Sequence, residues 1–501
     1  MPKFIAIVSL LLLAVLWTPG SRADENANGE LPARVATHHT MGLNAMGLNG
    51  RRLDYEAVAE TLAMSDAKGN TTASIFAVSY LADGENSSAR PVSFIFNGGP
   101  GAASVFLHLG ALGPQILETP ENGAVPTPSI HLIDNPATWL GFTDLVFVDP
   151  VGTGFSRGKG KEDNPDKPFW DVRADIASLG SVIRLWLTRH QRWTSPVWLV
   201  GESYGGFRAA AMAQTLPHDV DVIVKGLVLI SPALDLSALH QTDRDLLTDA
   251  FVLPSYAATA AAYDAALGGG STAEAERFAL SDYLVGLAGL KGQPSAADPL
   301  IARVAQIVGV PADIVRRYRG RVPRHVFARE IRRNQGEVVS IYDTAIVGPA
   351  GPEGGRADPV LPPAVAAYGT AFNAYLAEAL GVHTDQPYRV LPHDVSQQWN
   401  WQGERQPGTE GLAMSSLEAA LLEHPATKVL IVNGRYDLVT PYLSSRWLVD
   451  QLEIPEATRS AIQLRVYDGG HMVYMRPASR SLLVRDAAEL YGAGEPNAPS
   501  Q

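Results

Sequence analysis

The chain of 501 residues contains no cysteine. That absence excludes disulfide cross-links, thiolate metal ligands and a cysteine nucleophile, so packing alone has to hold the fold. Positive charge is also scarce: 40 Lys and Arg stand against 52 Asp and Glu, a formal net charge of -12. Polyanions are bound through clustered Lys and Arg, so nucleic acid is not an expected partner. Long apolar runs are missing beyond Trp17. Before it, Lys3, the run Phe4 to Trp17 and Ser21-Arg22-Ala23 follow the charged, apolar, small-x-small order of an export signal. Residues 1–23 are therefore expected to be removed, leaving an exported protein. The run is shorter than the ~20 residues that a membrane span requires, so no stable membrane insertion is expected after cleavage. A cysteine-free exported chain fits a bacterial periplasm, or secretion from a bacterium. No His-Glu-x-x-His occurs, and His38 and His39 are adjacent rather than one helical turn apart, so a catalytic zinc is not expected. Val151 to Gly158 begins like a dinucleotide fingerprint but carries Arg157 where the last glycine would have to lie. No cofactor is called for.

The composition, 46% hydrophobic and 18% charged, is that of a globular chain too long for one minimal core. "VSFIFNGG" (92–99), "DLVFVDPVG" (144–152), "VWLVGES" (197–203) and "GLVLISP" (226–232) are short continuous apolar runs closed by Gly, Pro or Ser. Such runs suit parallel strands covered on both faces. Between them, Val172, Ile176, Leu179, Ile183 and Leu187 recur at three- and four-residue steps, the stripe of a crossover helix. From 236 to 425 the texture turns Ala-rich and helical, as in 255–269 and 298–322, with Gly/Pro joints such as 347–355. "ATKVLIVNGRYDLVTP" (426–441) and "AIQLRVYDGGHMV" (461–473) then restore the strand pattern. The fold class expected is α/β: a doubly wound, mostly parallel sheet made by 24–235 and 426–495, with 236–425 inserted as a mainly helical cap.

Gly201-Glu202-Ser203-Tyr204-Gly205 closes one of those strands and opens a helical run. This is the G-x-S-x-G elbow, whose sharp strand-to-helix turn exposes a serine hydroxyl and aims the next helix's first amides at whatever it attacks. A serine hydroxyl needs a base and an orienting carboxylate, expected later in the chain on strand-end loops in the order acid, then histidine. Asp437 and His471 lie in that order, each just past an apolar run. Asp468 competes as the acid, but the separate strand-end loop favours Asp437. His240, His325, His383, His393 and His424 fall within the insertion or at its edge. For a developing oxyanion, "FNGGPG" (96–101) offers amides free of side chains, and the N–H groups of Gly99 and Tyr204 are the expected pair.

Asn97-Gly98-Gly99-Pro100-Gly101, Gly201 to Gly206, Asp437 within "NGRYDLV" and Gly470-His471-Met472-Val473 together resemble the sequence blocks of the serine carboxypeptidases. "DNPATWLGFTDLVFVDPVGTGFS" (134–156) resembles a fifth block. The resemblance runs from about 90 to 475 and leaves the insertion unmatched in detail. It implies an α/β-hydrolase fold, peptide substrates with a free C-terminus, release of C-terminal residues at acidic pH, and Asn97 and Glu202 as the groups that meet the substrate carboxylate. Gly98 and Met472 belong to the same implied substrate site. A carboxylic acid donates a hydrogen bond only when protonated, so Glu202 is expected to hold its proton unusually firmly. The chain departs from the pattern at Ile95, where the family has Trp, at Ala102, where eukaryotic members have a cysteine, and at Ala111, where a second Glu would partner the first. Two other readings therefore stay open: an esterase or acyltransferase on the same fold, and a catalytically silent binding protein.

Overall fold

The computed structural model describes residues 29–43, 51–84, 87–126, 128–239, 245–264, 272–289, 297–351, 358–401 and 411–493. The expected export signal and His240 lie outside the described residues. One ten-stranded sheet organises the rest. Its strands are β1 (Arg34–Leu43), β2 (Arg51–Ser65), β3 (Thr71–Ala82), β4 (Val92–Phe96), β5 (Asp144–Val148), β6 (Arg157–Gly158), β7 (Val197–Glu202), β8 (Val224–Ile230), β9 (Lys428–Gly434) and β10 (Gln463–Tyr467). The order across the sheet is β1-β2-β3-β5-β4-β7-β8-β9-β10, with β6 pairing β3. β1, β2 and β3 are antiparallel, and β3 meets β5 antiparallel. From β5 to β10 every pairing is parallel. The parallel block is where the apolar runs were read. The three long N-terminal strands were not read from the sequence.

Alternation along each parallel strand explains why those runs are continuously apolar. Ile95, Trp198, Val200, Val228, Ile230, Leu430 and Val432 enter one core. Phe94, Phe96, Leu199, Leu227, Leu229, Val429 and Ile431 enter the other. Successive side chains point to opposite faces, so a strand buried on both faces reads as a near-continuous apolar run. The second core is built by α1 (Val172–Arg189), α2 (Tyr204–Asp219) and, from much later in the chain, Leu412–Glu423 and Tyr442–Asp450. Asp171 caps α1, its carboxylate accepting from the amides of Arg173 and Ala174. Helices Leu361–Glu378 and Pro477–Tyr491 cover the opposite face. A third cluster gathers Leu247–Tyr263 and the helices that follow it as far as Arg324–Glu330, together with Leu438, Tyr442 and Leu443. Residues 236–425 thus contribute to all three clusters. Within them, the helical stretch 298–322 forms two helices, Ala297–Val308 and Ala312–Arg317. Gly309 at φ +70° and Pro311 separate them. Among the described residues no helix is long and apolar enough to cross a membrane.

In an open parallel sheet the carboxyl ends of the strands are where ligands bind. Asn97 follows β4, Ser203 follows β7, Asp437 lies on the loop after β9 and His471 on the loop after β10.

Candidate active site

Ser203 sits between β7 and α2 with φ 59° and ψ -125°, a backbone conformation that side-chain-bearing residues seldom adopt. The turn is possible because its neighbours are bare. A Cβ on Gly201 would stand 2.0 Å from the carbonyl oxygen of Gly205, and one on Gly205 would stand 2.2 Å from that of Phe96. The hydroxyl is thereby raised at the floor of a cavity lined by Asn97, Gly98, Gly99, Glu202, Met472 and His471 among others.

His471 is buried, and its Nδ1 lies 2.8 Å from Asp437 Oδ2. A carboxylate there accepts the Nδ1 proton, which leaves the Nε2 lone pair free to act as a base. Asp437 is itself fully enclosed: its Oδ1 accepts from the amides of Val439, at 2.7 Å, and Thr440, at 3.1 Å. The Thr440 hydroxyl stands 2.7 Å from Asp437 Oδ2, 3.1 Å from His471 Nδ1 and 3.0 Å from the carbonyl of Ser231. Burial pulls the imidazole pKa down, but the charge and hydrogen bond of Asp437, helped by Glu202, outweigh it and leave His471 above its ordinary value. Asp468 is exposed and paired with Arg435 at 3.1 Å, whereas Asp437 holds the imidazole. Of the other histidines weighed, His325, His383 and His393 are exposed and His424 is half-buried.

Gly98 and Gly99 form the wall beside the elbow. A Cβ on Gly98 would meet the Tyr204 amide nitrogen at 2.5 Å, so the glycine loop and the first amide of α2 are immediate neighbours. The Tyr204 side chain turns away, stacked on Phe207 and edge-on to Trp399 and Trp401. Only its amide is offered to the cavity side.

Glu202, one residue before Ser203, is 3% exposed. Its Oε2 accepts from Asn97 Nδ2 and, at 2.9 Å, from the Tyr474 hydroxyl. The Asn97 carboxamide is oriented from its other end, where Oδ1 accepts the Leu107 amide at 3.0 Å. Among the described residues Glu202 Oε1, although buried, has no hydrogen-bond partner. Burial pushes the Glu202 carboxyl up to about 7, against the lowering influence of His471, Tyr474 and Asn97. The carboxyl therefore holds its proton to a higher pH than an ordinary glutamate.

All nine residues singled out from sequence lie at this cluster of strand ends. Sequence reasoning missed Thr440 and Tyr474, which touch Asp437, His471 and Glu202. It also missed Tyr342, whose carbonyl accepts the His471 amide and whose ring meets the imidazole edge-on. Phe106, Leu361, Leu391 and Val439 complete an apolar lining. Ala111, at the position of the absent second Glu, is buried in the core. The arrangement provides a strained serine, a carboxylate-oriented imidazole, adjacent free amides and a proton-holding carboxyl.

Residues 65–250 match the family model described as serine carboxypeptidase. The chain is 27% identical to Serine carboxypeptidase-like 20 of Arabidopsis thaliana over 158 residues, 31% of this chain and 29% of that protein. It is 28% identical to Serine carboxypeptidase-like 33 of the same plant over 243 residues, 46% of this chain and 45% of the relative. The chain thus spans less than half the length of these curated relatives. Among solved structures, a serine hydrolase from Cycloclasticus zankles aligns over 86% of this chain and 99% of its own, at 12% identity and a TM-score of 0.37. At that score the fold assignment rests on the strand order and the strand-end loops, which are those of an α/β hydrolase. The family match, the plant relatives and the site support a serine hydrolase.

Proposed function

We propose that this protein is an exported serine carboxypeptidase that removes C-terminal residues from peptides through an acyl-enzyme. The observation that carries the reading is a buried, proton-retaining Glu202 directly before a strained Ser203, in one cavity with His471. In this mechanism His471 Nε2 takes the Ser203 proton as Oγ attacks the scissile carbonyl carbon. The amides of Gly99 and Tyr204 receive the oxyanion. The imidazolium, steadied by Asp437, returns the proton to the leaving amine, and the released residue departs with its free carboxylate. Water, deprotonated by the same imidazole, then attacks the acyl ester and frees Ser203.

Carboxylate recognition selects the C-terminal bond. Protonated Glu202 and the Asn97 carboxamide are the two donors available to a substrate carboxylate, and Glu202 donates only below its pKa of about 7. Activity on free C-termini therefore declines as pH rises through about 7, while protonation of His471, held above its ordinary value, bounds it on the acidic side. A same-fold esterase or acyltransferase remains the second reading, favoured by Ala111, which leaves Glu202 Oε1 without a second carboxyl to share its proton. Timed mass spectrometry of a mixed peptide pool at mildly acidic pH separates them. Stepwise loss of single residues from C-termini, absent in Ser203→Ala, is the expected result; turnover of esters with intact peptides would overturn the peptidase reading.

A further inference from the structure

Arg208 is the one charged residue of α2 that is wholly enclosed, with side-chain exposure of 0%, and its counterion Asp175 on α1 is 4% exposed. Arg208 Nε and Nη2 meet the two Asp175 oxygens at 2.7 and 3.3 Å. The remaining nitrogen, Nη1, donates to the carbonyl of Asn97 at 2.6 Å and reaches that of Gly98 at 3.4 Å. Its guanidinium carbon also lies 4.9 Å from the Tyr204 ring centroid. Gly98 O has a second donor, the Ala102 amide at 3.1 Å, whereas Asn97 O accepts from Arg208.

We infer that Arg208 is a positioning residue for the oxyanion-binding amides, holding the Asn97–Gly98–Gly99 segment from beneath so that its N–H groups face the cavity. The inference rests on the hydrolase reading above. The geometry follows from the planar trans peptide, in which carbonyl and N–H point in opposite directions. The 2.6 Å bond fixes the Asn97–Gly98 plane; the next plane, Gly98 carbonyl with Gly99 amide, pivots on the same Gly98 Cα and is held at its oxygen by the Ala102 amide at 3.1 Å and more weakly by Arg208 at 3.4 Å. Pinning the oxygen on the core side aims the hydrogen at the Ser203 side. A cation on the carbonyl also polarises the whole amide and strengthens its N–H as a donor. Through the Tyr204 ring the same guanidinium braces the residue whose amide is the second donor. Stability alone gives little reason to keep the pair, because a buried ion pair is often no better than apolar side chains of similar volume.

The test is the rate at which a fluorophosphonate phosphonylates Ser203, a reaction that builds negative charge on an oxygen at the same amides without needing a peptide. Wild type is compared with Arg208→Met/Asp175→Leu, which leaves no uncompensated charge, with Arg208→Lys, and with Ser203→Ala as the blank. The double variant is expected to melt close to wild type, to label about 10- to 100-fold more slowly, and to lose kcat but not KM on p-nitrophenyl acetate. Arg208→Lys should recover part of the rate but stay at least about fivefold slow, since an ammonium cannot fork between Asp175 and two carbonyls. A folded double variant labelling within twofold of wild type overturns the inference and leaves the hydrolase reading intact. If the double variant does not fold, Arg208→Lys at the wild-type rate does the same. A kcat loss that only tracks the unfolded fraction also overturns it. Failure of wild type to label at Ser203 removes the hydrolase reading and this inference together.

Discussion

Replacing Glu202 by Gln separates a titrating donor from a fixed one. Burial raises the carboxyl from its ordinary 4.5 to about 7, because the enclosed site disfavours the anion more than His471, Tyr474 and Asn97 favour it. That displacement corresponds to roughly 3 kcal/mol of preference for the protonated form. For a peptide with a free C-terminus, kcat/KM should fall as pH climbs through about 7. At pH 8 about one tenth of the carboxyl is still protonated, and each further unit removes about another factor of ten. Glutamine offers an N–H at every pH, so in Glu202→Gln this descending limb should vanish. The same limb should be missing in wild type when the substrate is an ester whose C-terminus is amidated. The ascending limb reports deprotonation of His471, which Glu202 helps to raise, so it should move to lower pH in the variant. Stability carries a second signature. A group whose native pKa lies above its unfolded one stabilises fully below the unfolded value, near 4.5, and loses that contribution as pH rises through about 7. Glu202→Gln should therefore gain in Tm relative to wild type between pH 5 and pH 8. A descending limb of unchanged position and slope in Glu202→Gln would refute the assignment of that proton to Glu202.

Three further substitutions probe the same site and its support. Tyr474→Phe deletes the donor that lies 2.9 Å from Glu202 Oε2 and lowers the carboxyl pKa, so the descending limb should shift upward in a pH titration of kcat/KM. Asp437→Asn can present an N–H to His471 Nδ1 and force the other tautomer; kcat should drop on the order of 10⁴-fold with fluorophosphonate labelling slowed to match. Asp149, buried with its Oδ1 on the Ser104 amide at 2.9 Å and its Oδ2 unpartnered, is also pushed up to about 7 by burial. Its contribution is present at acidic pH and lost as pH rises through 7, so Asp149→Asn should flatten the decline of Tm from pH 5 to pH 8 without changing kcat at pH 5.

The parallel half of the sheet was legible because burial on both faces leaves a strand no choice but continuous apolar residues, and because Gly, Pro or Ser closes each run. The antiparallel half was not. Tyr55-Glu56-Ala57-Val58-Ala59-Glu60-Thr61-Leu62-Ala63 is rich in Ala, Glu and Leu, good helix formers, yet it forms β2 because β1 and β3 pair with it on both sides. Propensity of that size yields to two ladders and a covered face. Only an alternation of Leu53, Tyr55, Ala57 and Ala59 betrays the strand, and Ala carries little apolar signal.

Within the site, the residues read from sequence are those whose chemistry demands a fixed local frame: a serine between glycines, an acid and a histidine each just past a strand. Tyr474, Thr440 and Arg208 act on those residues from positions that no short motif specifies. Two of them nevertheless leave a trace. Thr440 lies three residues beyond Asp437, the spacing at which a loop folds back so that a hydroxyl and an amide reach one carboxylate. Arg208 interrupts the small apolar run of α2, and Asp175 sits beside the Val172–Ile176–Leu179 stripe of α1. A charge on the buried face of each of two helices that flank one strand is costly unless the two meet, since neither can reach solvent. Read as a pair, the two breaks in hydrophobic pattern predict a buried bridge under the elbow. What the pattern alone omits is the third contact, because a carbonyl of the β4 loop leaves no mark in the sequence of either helix.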